Sequence, residues 1–271
     1  VISRLIRRKL RENALLIRSK RRLSDAKLRK LKLQMLSEIY KMLVFSLGEP
    51  PESFQWRYKD KKGKISSLET FTPKSFYKQF INIDLNDYVL FMDDPSRPYE
   101  KLYEIEYDRN IYEGRNWQFI NLPSSRIKSF AKQSIINNEA MYFSCDVGKQ
   151  LNRKRGILSV SNYDYESLFG IRFGMTKRQR IASFESGSTH GMALVGVDTD
   201  TDGKIRKWLL ENSWGSKSGH KGHLIMTDRW FDEYMFRLVI HKRFIDPEVL
   251  AMLKQKAKKL PPWDPLFAPD M

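Results

Sequence analysis

A histidine that enters an apolar run and an asparagine that leaves another are the residues of this chain best suited to chemistry. His190 opens His190-Gly191-Met192-Ala193-Leu194-Val195-Gly196-Val197, and Asn212 follows Lys207-Trp208-Leu209-Leu210-Glu211 and precedes Ser213-Trp214-Gly215. A neutral imidazole is a general base around neutral pH, and an amide oxygen that accepts its other ring N–H fixes its tautomer and orientation. Such a pair activates a nucleophile and is not one itself. The single cysteine, Cys145, follows the apolar run Met141-Tyr142-Phe143. A small thiol in that setting reads as a packed structural residue, because no charge pattern around it would favour a thiolate.

The hydrophobic periodicity indicates which elements hold these groups. His190 and residues 207–210 are expected on adjacent strands joined by a turn over 198–204. The turn contains Asp200-Thr201-Asp202-Gly203 but lacks the later acidic ligand of a calcium loop, so it reads as a turn. Strands are expected at 223–226 and 236–240, with a short helix between them over 229–234 capped by Asp228. A helix follows from Pro247 to about Lys256, then an extended tail from Leu260.

Upstream, residues 2–20 place Ile2, Leu5, Ile6, Leu10, Leu15 and Leu16 at helical spacing, and Ser24 with Asp25 caps a second helix that Gly48 ends. Residues 54–58 alternate and turn at 61–64 towards Ile65, and Thr72-Pro73 starts a short helix through Phe80. Tyr88-Val89-Leu90-Phe91-Met92 is a buried strand, with extended pieces near Leu102 and Trp117. Ser124 or Ser125 caps a helix carrying Ile127, Phe130 and Ala131. Residues 150–186 read as irregular, anchored by Tyr163, Tyr165, Phe169 and Phe173, with a short helix opening at Met175-Thr176.

Charge separates the first part of the chain from the rest. The 271 residues carry 49 Lys plus Arg against 32 Asp plus Glu, a net +17. Residues 1–33 hold thirteen basic and two acidic residues, so +11 of that excess sits there. Arg4, Arg7, Arg8, Lys9, Arg11, Arg18, Lys20, Arg21 and Arg22 are the candidate contacts to an RNA backbone, since a concentrated basic block suits phosphates. The excess continues in Lys59, Lys61, Lys62, Lys64 and in Arg153, Lys154, Arg155. An Arg-rich, acid-poor amphipathic start also has the character of a mitochondrial transit peptide. One cysteine permits no intrachain disulfide, so an intracellular, reducing compartment is expected, the mitochondrion ahead of the cytoplasm. His220, His223 and His241 are too scattered for a zinc site, no transmembrane run is present, and neither metal nor cofactor is expected.

The motifs together carry a family resemblance. The segment from Thr189 through Asn212-Ser213-Trp214-Gly215, Gly219-His220-Lys221-Gly222, Met226-Thr227-Asp228-Arg229-Trp230-Phe231 and Trp263-Asp264-Pro265 resembles the bleomycin hydrolase and aminopeptidase C family of papain-like cysteine peptidases. Gly48-Glu49-Pro50-Pro51 and Phe143-Ser144-Cys145-Asp146-Val147-Gly148-Lys149 are similar to further segments of it. The resemblance implies an α+β papain-like fold, with His190 as base, Asn212 as its orienting partner and Trp214 shielding their hydrogen bond. It also implies a nucleophilic cysteine and an oxyanion glutamine upstream of Val1, and a C-terminal tail that enters the active-site cleft. The expected organisation is a basic helical arm over 1–47, a mixed α/β middle over 48–187 and a His/Asn-bearing β-rich half over 188–271.

Two functions follow. In the first, the chain alone is not an enzyme. It is a non-catalytic relative held by RNA, ribosomal RNA above all, and by neighbouring proteins in a large assembly such as a mitochondrial ribosome, with His190 and Asn212 as vestiges. In the second, it is part of an active cysteine aminopeptidase whose Cys-bearing half is a separate or removed chain.

Overall fold

The computed structural model describes residues 1–20 and 22–267, and these form two compact units, Val1–Ile83 and Asp84–Met271. The expected boundaries at 47 and 187 are therefore redrawn. The physical reason for the second is strand pairing. Met235–His241 lies between Tyr88–Met92 and Met141–Cys145, so strands from both sides of residue 187 share one ladder.

In the first unit, helices Ile2–Ser19 and Asp25–Leu47 form as expected. Ser24 Oγ accepts the Lys27 N–H, satisfying a donor that the first helical turn leaves free, and Gly48, at φ 82°, ends the helix in a conformation that a side chain would oppose. The hairpin differs from the alternation read in the sequence: Phe54–Trp56 pairs with Glu69–Phe71, and Ile65 makes only a single bridge, to Lys59. Aromatic packing explains the longer loop. Trp56 meets Phe76 and Phe80 edge-on at 4.9 and 4.8 Å, with Phe71 against both, so Phe71 has to sit on the paired strand. Thr72 caps the helix Pro73–Phe76 through a reciprocal capping box with Ser75.

The second unit is α+β, built on one sheet of eleven strands. From edge to edge they are Lys258–Leu260, Lys101–Ile105, Gln118–Asn121, Tyr88–Met92, Met235–His241, Met141–Cys145, His190–Thr199, Ile205–Glu211, His223–Thr227, Ile157–Leu158 and Leu151–Asn152. Alternation drives burial: in Met235–His241 the side chains of Leu238 and Ile240 are buried in one core cluster together with Met192 and Leu194 of the His190 strand, while Phe236, at the irregularity between Met235 and Arg237, is buried in a second cluster. Helix Ser124–Ile136 presses Ile127, Phe130 and Ala131 into this core. Phe143, Phe231 and Trp208 pack in series, at 5.6 and 5.2 Å between ring centroids.

Several local expectations are corrected by long-range bonds. Asp228 does not cap the helix Asp228–Tyr234. Its carboxylate accepts the Trp208 indole N–H at 3.1 Å and the Lys128 ammonium at 2.8 Å, and Thr227 caps the helix instead. Neither Ser124 nor Ser125 caps the helix Ser124–Ile136: Ser124 lies inside it and donates to Asp232 at 2.6 Å, leaving Pro123 at the cap. The helix expected from Pro247 to Lys256 is short, Pro247–Ala251, tightening into a 3₁₀ turn over Met252–Lys254 before the edge strand Lys258–Leu260. Tyr163, Tyr165, Phe169 and Phe173 are not buried anchors but exposed side chains, and the segment that holds them contains two short strands and the helices Tyr165–Phe169 and Lys177–Ala182.

Candidate active site

The strand ladder brings the two sequence-predicted residues together. His190 is the first residue of its strand, and Asn212 follows the neighbouring strand, whose last residue, Glu211, pairs with Ala193. His190 Nε2 lies 2.9 Å from Asn212 Oδ1. The same oxygen accepts the Ser213 backbone N–H at 2.8 Å, which fixes which end of the amide faces the ring. An amide oxygen can only accept, so the proton of the neutral imidazole sits on Nε2 and Nδ1 carries the lone pair. Among the described residues no group hydrogen-bonds Nδ1, so the basic nitrogen is free to take a proton. The Asn212 backbone N–H donates to Gly222 O at 2.9 Å, clamping the turn from behind.

Trp214 lies over the pair, its ring 5.1 Å from the imidazole and tilted by 32°. An apolar face there shields the His–Asn hydrogen bond from competing water. On its other contacts, Trp214 receives the guanidinium of Arg153 at 4.9 Å, a cation–π neighbour that the sequence did not reveal.

Cys145 is the register partner of His190 across the ladder, a proximity invisible in the sequence, where the two are far apart. The thiol is nonetheless fully buried among Phe143, Met235 and their neighbours and makes no hydrogen bond to the imidazole. Burial, with the Asp146 carboxylate beside it, pushes its pKa well above the ordinary thiol value. Cys145 is a packing residue. In the folded protein it is expected to resist a water-soluble thiol reagent at mildly alkaline pH and to react only after denaturant is added. Stoichiometric labelling without denaturant would contradict that assignment.

The C-terminal segment comes close to the same strand. Arg97 donates to Asp264 at 2.7 Å, Arg237 donates to the Leu266 carbonyl, and the Pro265 carbonyl lies 3.9 Å from where a side chain on Gly187 would begin. The tail through Phe267 is thus anchored next to the residues that lead into His190. Ala268-Pro269-Asp270-Met271, on which the expected entry into a cleft depends, lie outside the described residues.

The predicted RNA contacts occupy the other unit. Arg4, Arg7, Arg8, Arg11, Arg18, Lys20 and Arg22 are exposed and form no ion pair among the described residues. Lys9 is half-buried and engaged, at 2.9 Å from Glu12 and 3.3 Å from Glu38. Arg21 lies outside the described residues. No group of acidic, histidine or cysteine side chains among the described residues is arranged to hold a metal ion, and no helix there is long and apolar enough to cross a membrane.

A histidine on one strand, an asparagine amide after the next and an indole against the imidazole form the arrangement that the resemblance to papain-like peptidases implied. Comparison places the chain more narrowly: it belongs to the Peptidase C1-like family, whose model matches residues 1–267. It is 40% identical to bleomycin hydrolase of Rattus norvegicus over 242 residues, covering 86% of this chain and 53% of that protein. It is 37% identical to aminopeptidase C of Lactococcus lactis subsp. cremoris over 246 residues, 90% of this chain and 56% of that protein. The crystal structure of PepW from Lactobacillus rhamnosis superposes with a TM-score of 0.89 at 36% identity, over 97% of this chain and 60% of that one. The chain therefore spans little more than half the length of the relatives it matches.

Proposed function

We propose that this chain is the base-bearing part of a bleomycin hydrolase-type cysteine aminopeptidase. The observation that carries the reading is the 2.9 Å bond from His190 Nε2 to Asn212 Oδ1, which leaves Nδ1 unpartnered and basic. In the reaction, Nδ1 takes the proton of a cysteine thiol and becomes imidazolium, held in place by Asn212. The thiolate adds to the scissile carbonyl, and the imidazolium returns the proton to the departing amine as the carbon–nitrogen bond breaks. Water then enters by the same base and releases the acyl group from sulfur. Cys145 is unsuited to that role, so the thiol belongs to a cysteine outside these 271 residues.

The test is labelling of the protein isolated from its native source with a thiol-directed epoxide probe. The expected result is one modified cysteine, distinct from Cys145, with labelling blocked by a peptide substrate. Absence of any probe-reactive cysteine in the isolated material would overturn the reading.

A second reading is favoured by one observation, the seven exposed cations of the first helix and the turn after it that form no ion pair among the described residues. In it the chain is a non-catalytic component of an RNA-rich particle such as a mitochondrial ribosome, bound through phosphates. It predicts that ribonuclease releases the chain from its assembly and that binding weakens steeply with salt, since several neutralised phosphates each contribute to the slope. Unchanged association after ribonuclease treatment would rule it out.

A further inference from the structure

The basic triplet Arg153-Lys154-Arg155, which stood in the sequence as an outlying part of the charge excess, belongs to the unit that holds His190. It occupies the turn between strands Leu151–Asn152 and Ile157–Leu158, and that turn touches the loop after Trp214. A side chain on Gly156 would begin 2.6 Å from the Cα of Gly219, so the two loops meet backbone to backbone there, and only glycine permits it. The Gly156 carbonyl also accepts the Ile225 N–H at 2.9 Å. The second loop, 213–222, contributes Lys217 and Lys221 and closes on Asn212 through Gly222.

Five cations thus sit on two joined loops, and neither 152–157 nor 213–222 contains a carboxylate. Among the described residues Arg153, Lys154, Arg155, Lys217 and Lys221 form no ion pair, although acidic partners are found for Lys128, Lys149, Lys177 and Arg180 in the same unit. The patch is at the site. Arg153 lies 4.9 Å from the Trp214 ring, which lies 5.1 Å from that of His190. Its charge is therefore no farther than about 10 Å from the imidazole, roughly one Debye length at moderate salt. Cations held close together without counter-charges repel one another, and an anion brought between them relieves that repulsion.

We propose that this rim selects substrates with carboxylates on the leaving side of the scissile bond: peptides whose departing portion carries Asp or Glu. The proposal rests on the catalytic reading above. The direction follows from the proton path. The imidazole must reach the departing amine to protonate it, so the residues after the scissile bond pass over His190 and along Trp214, where the two loops stand. Arg153 is there a positioning and recognition residue, fixed by the indole. Lys154, Arg155, Lys217 and Lys221 supply longer-range attraction.

The experiment compares kcat/KM of the native enzyme on three peptides that differ only in the residues after the scissile bond: neutral, acidic and basic. The acidic peptide is expected to exceed the neutral one by about fivefold and the basic peptide to fall below it. The spread should shrink as ionic strength rises from low to about 0.5 M salt. A K154Q/R155Q/K217Q/K221Q variant, which leaves His190, Asn212, Trp214 and Arg153 in place, is expected to keep the neutral-peptide rate and to reduce the preference to what Arg153 alone provides. Equal rates on all three peptides, or a preference undiminished by both salt and the variant, would overturn the proposal while leaving the catalytic reading standing. No hydrolysis of the neutral peptide would instead remove the reading on which it rests. Binding of a short single-stranded RNA that is lost in the variant, with no advantage for acidic peptides, would assign the rim to nucleic acid and also overturn it.

Discussion

Replacing His190 by Ala in the assembled enzyme is expected to lower kcat/KM on a neutral aminoacyl substrate by about a thousandfold or more. The expectation follows from what the imidazole does twice. In the proposed reaction it removes the thiol proton before attack and protonates the amine on departure, and among the described residues no other titratable group hydrogen-bonds Nδ1. KM should change little, since the imidazole is not a binding group. Asn212→Ala should lower kcat by a smaller factor, because it loses the tautomer and orientation but keeps the base. Steady-state kinetics with and without a thiol-directed inhibitor measure both. A His190→Ala protein with near-native turnover would show that the base is elsewhere.

The largest effect on stability is expected at Lys177. Its ammonium is buried and spends all three N–H bonds inside the protein: 2.6 Å to Asp93 Oδ2, 2.9 Å to the Asp232 carbonyl and 2.6 Å to the Met235 carbonyl. Burial lowers its pKa, and the Asp93 carboxylate opposes that shift. Truncating Lys177→Ala leaves Asp93 buried, with the Tyr99 hydroxyl at 2.7 Å as its remaining side-chain partner, and should cost about 3–5 kcal/mol. The double variant Lys177→Met with Asp93→Asn should cost less than Lys177→Ala alone, because no uncompensated charge remains. Urea unfolding followed by near-ultraviolet circular dichroism reads both. The change also bears on the site, since Lys177 ties the end of helix Asp228–Tyr234 to Met235, the residue that pairs with Cys145 beside His190.

How much of this was legible in the chain depended on the range of the interaction. The first two helices, the Tyr88–Met92 strand and the His190 and Ile205–Glu211 strands announce themselves through periodicity, which is a local property. The His190–Asn212 pairing was legible because both ends of a short hairpin carry their own motif. Caps were misread at Ser124 and Asp228 for one physical reason. Each polar side chain had a stronger partner on a distant element, Asp232 in one case and Trp208 with Lys128 in the other. Lys177 gave no signal, since Asp93 is 84 residues away and a lysine in a short helix ordinarily points to water. The triplet Arg153-Lys154-Arg155 was visible as charge but not as part of a site, because its place beside Trp214 depends on the parallel pairing of Ile157 with Ile225.

The boundary expected at residue 187 failed for a related reason. A stretch rich in strands after 188 suggested a half that closes on itself, yet its strand Met235–His241 borrows both neighbours from earlier sequence. Sheet order is not written in strand propensity. It is set by which apolar faces complete one another, and here Phe91 and Phe143 supply faces that Leu238 and Ile240 need.

The central claim is that His190 is a base held by Asn212 with Nδ1 free, and nitrogen-15 correlation spectra of the imidazole in the intact protein test it most directly. The predicted result, at a pH where the ring is neutral, is a single Nε2–H tautomer that loses its uniformity in Asn212→Ala. A predominant Nδ1–H tautomer, or one unaffected by removing Asn212, would contradict the account.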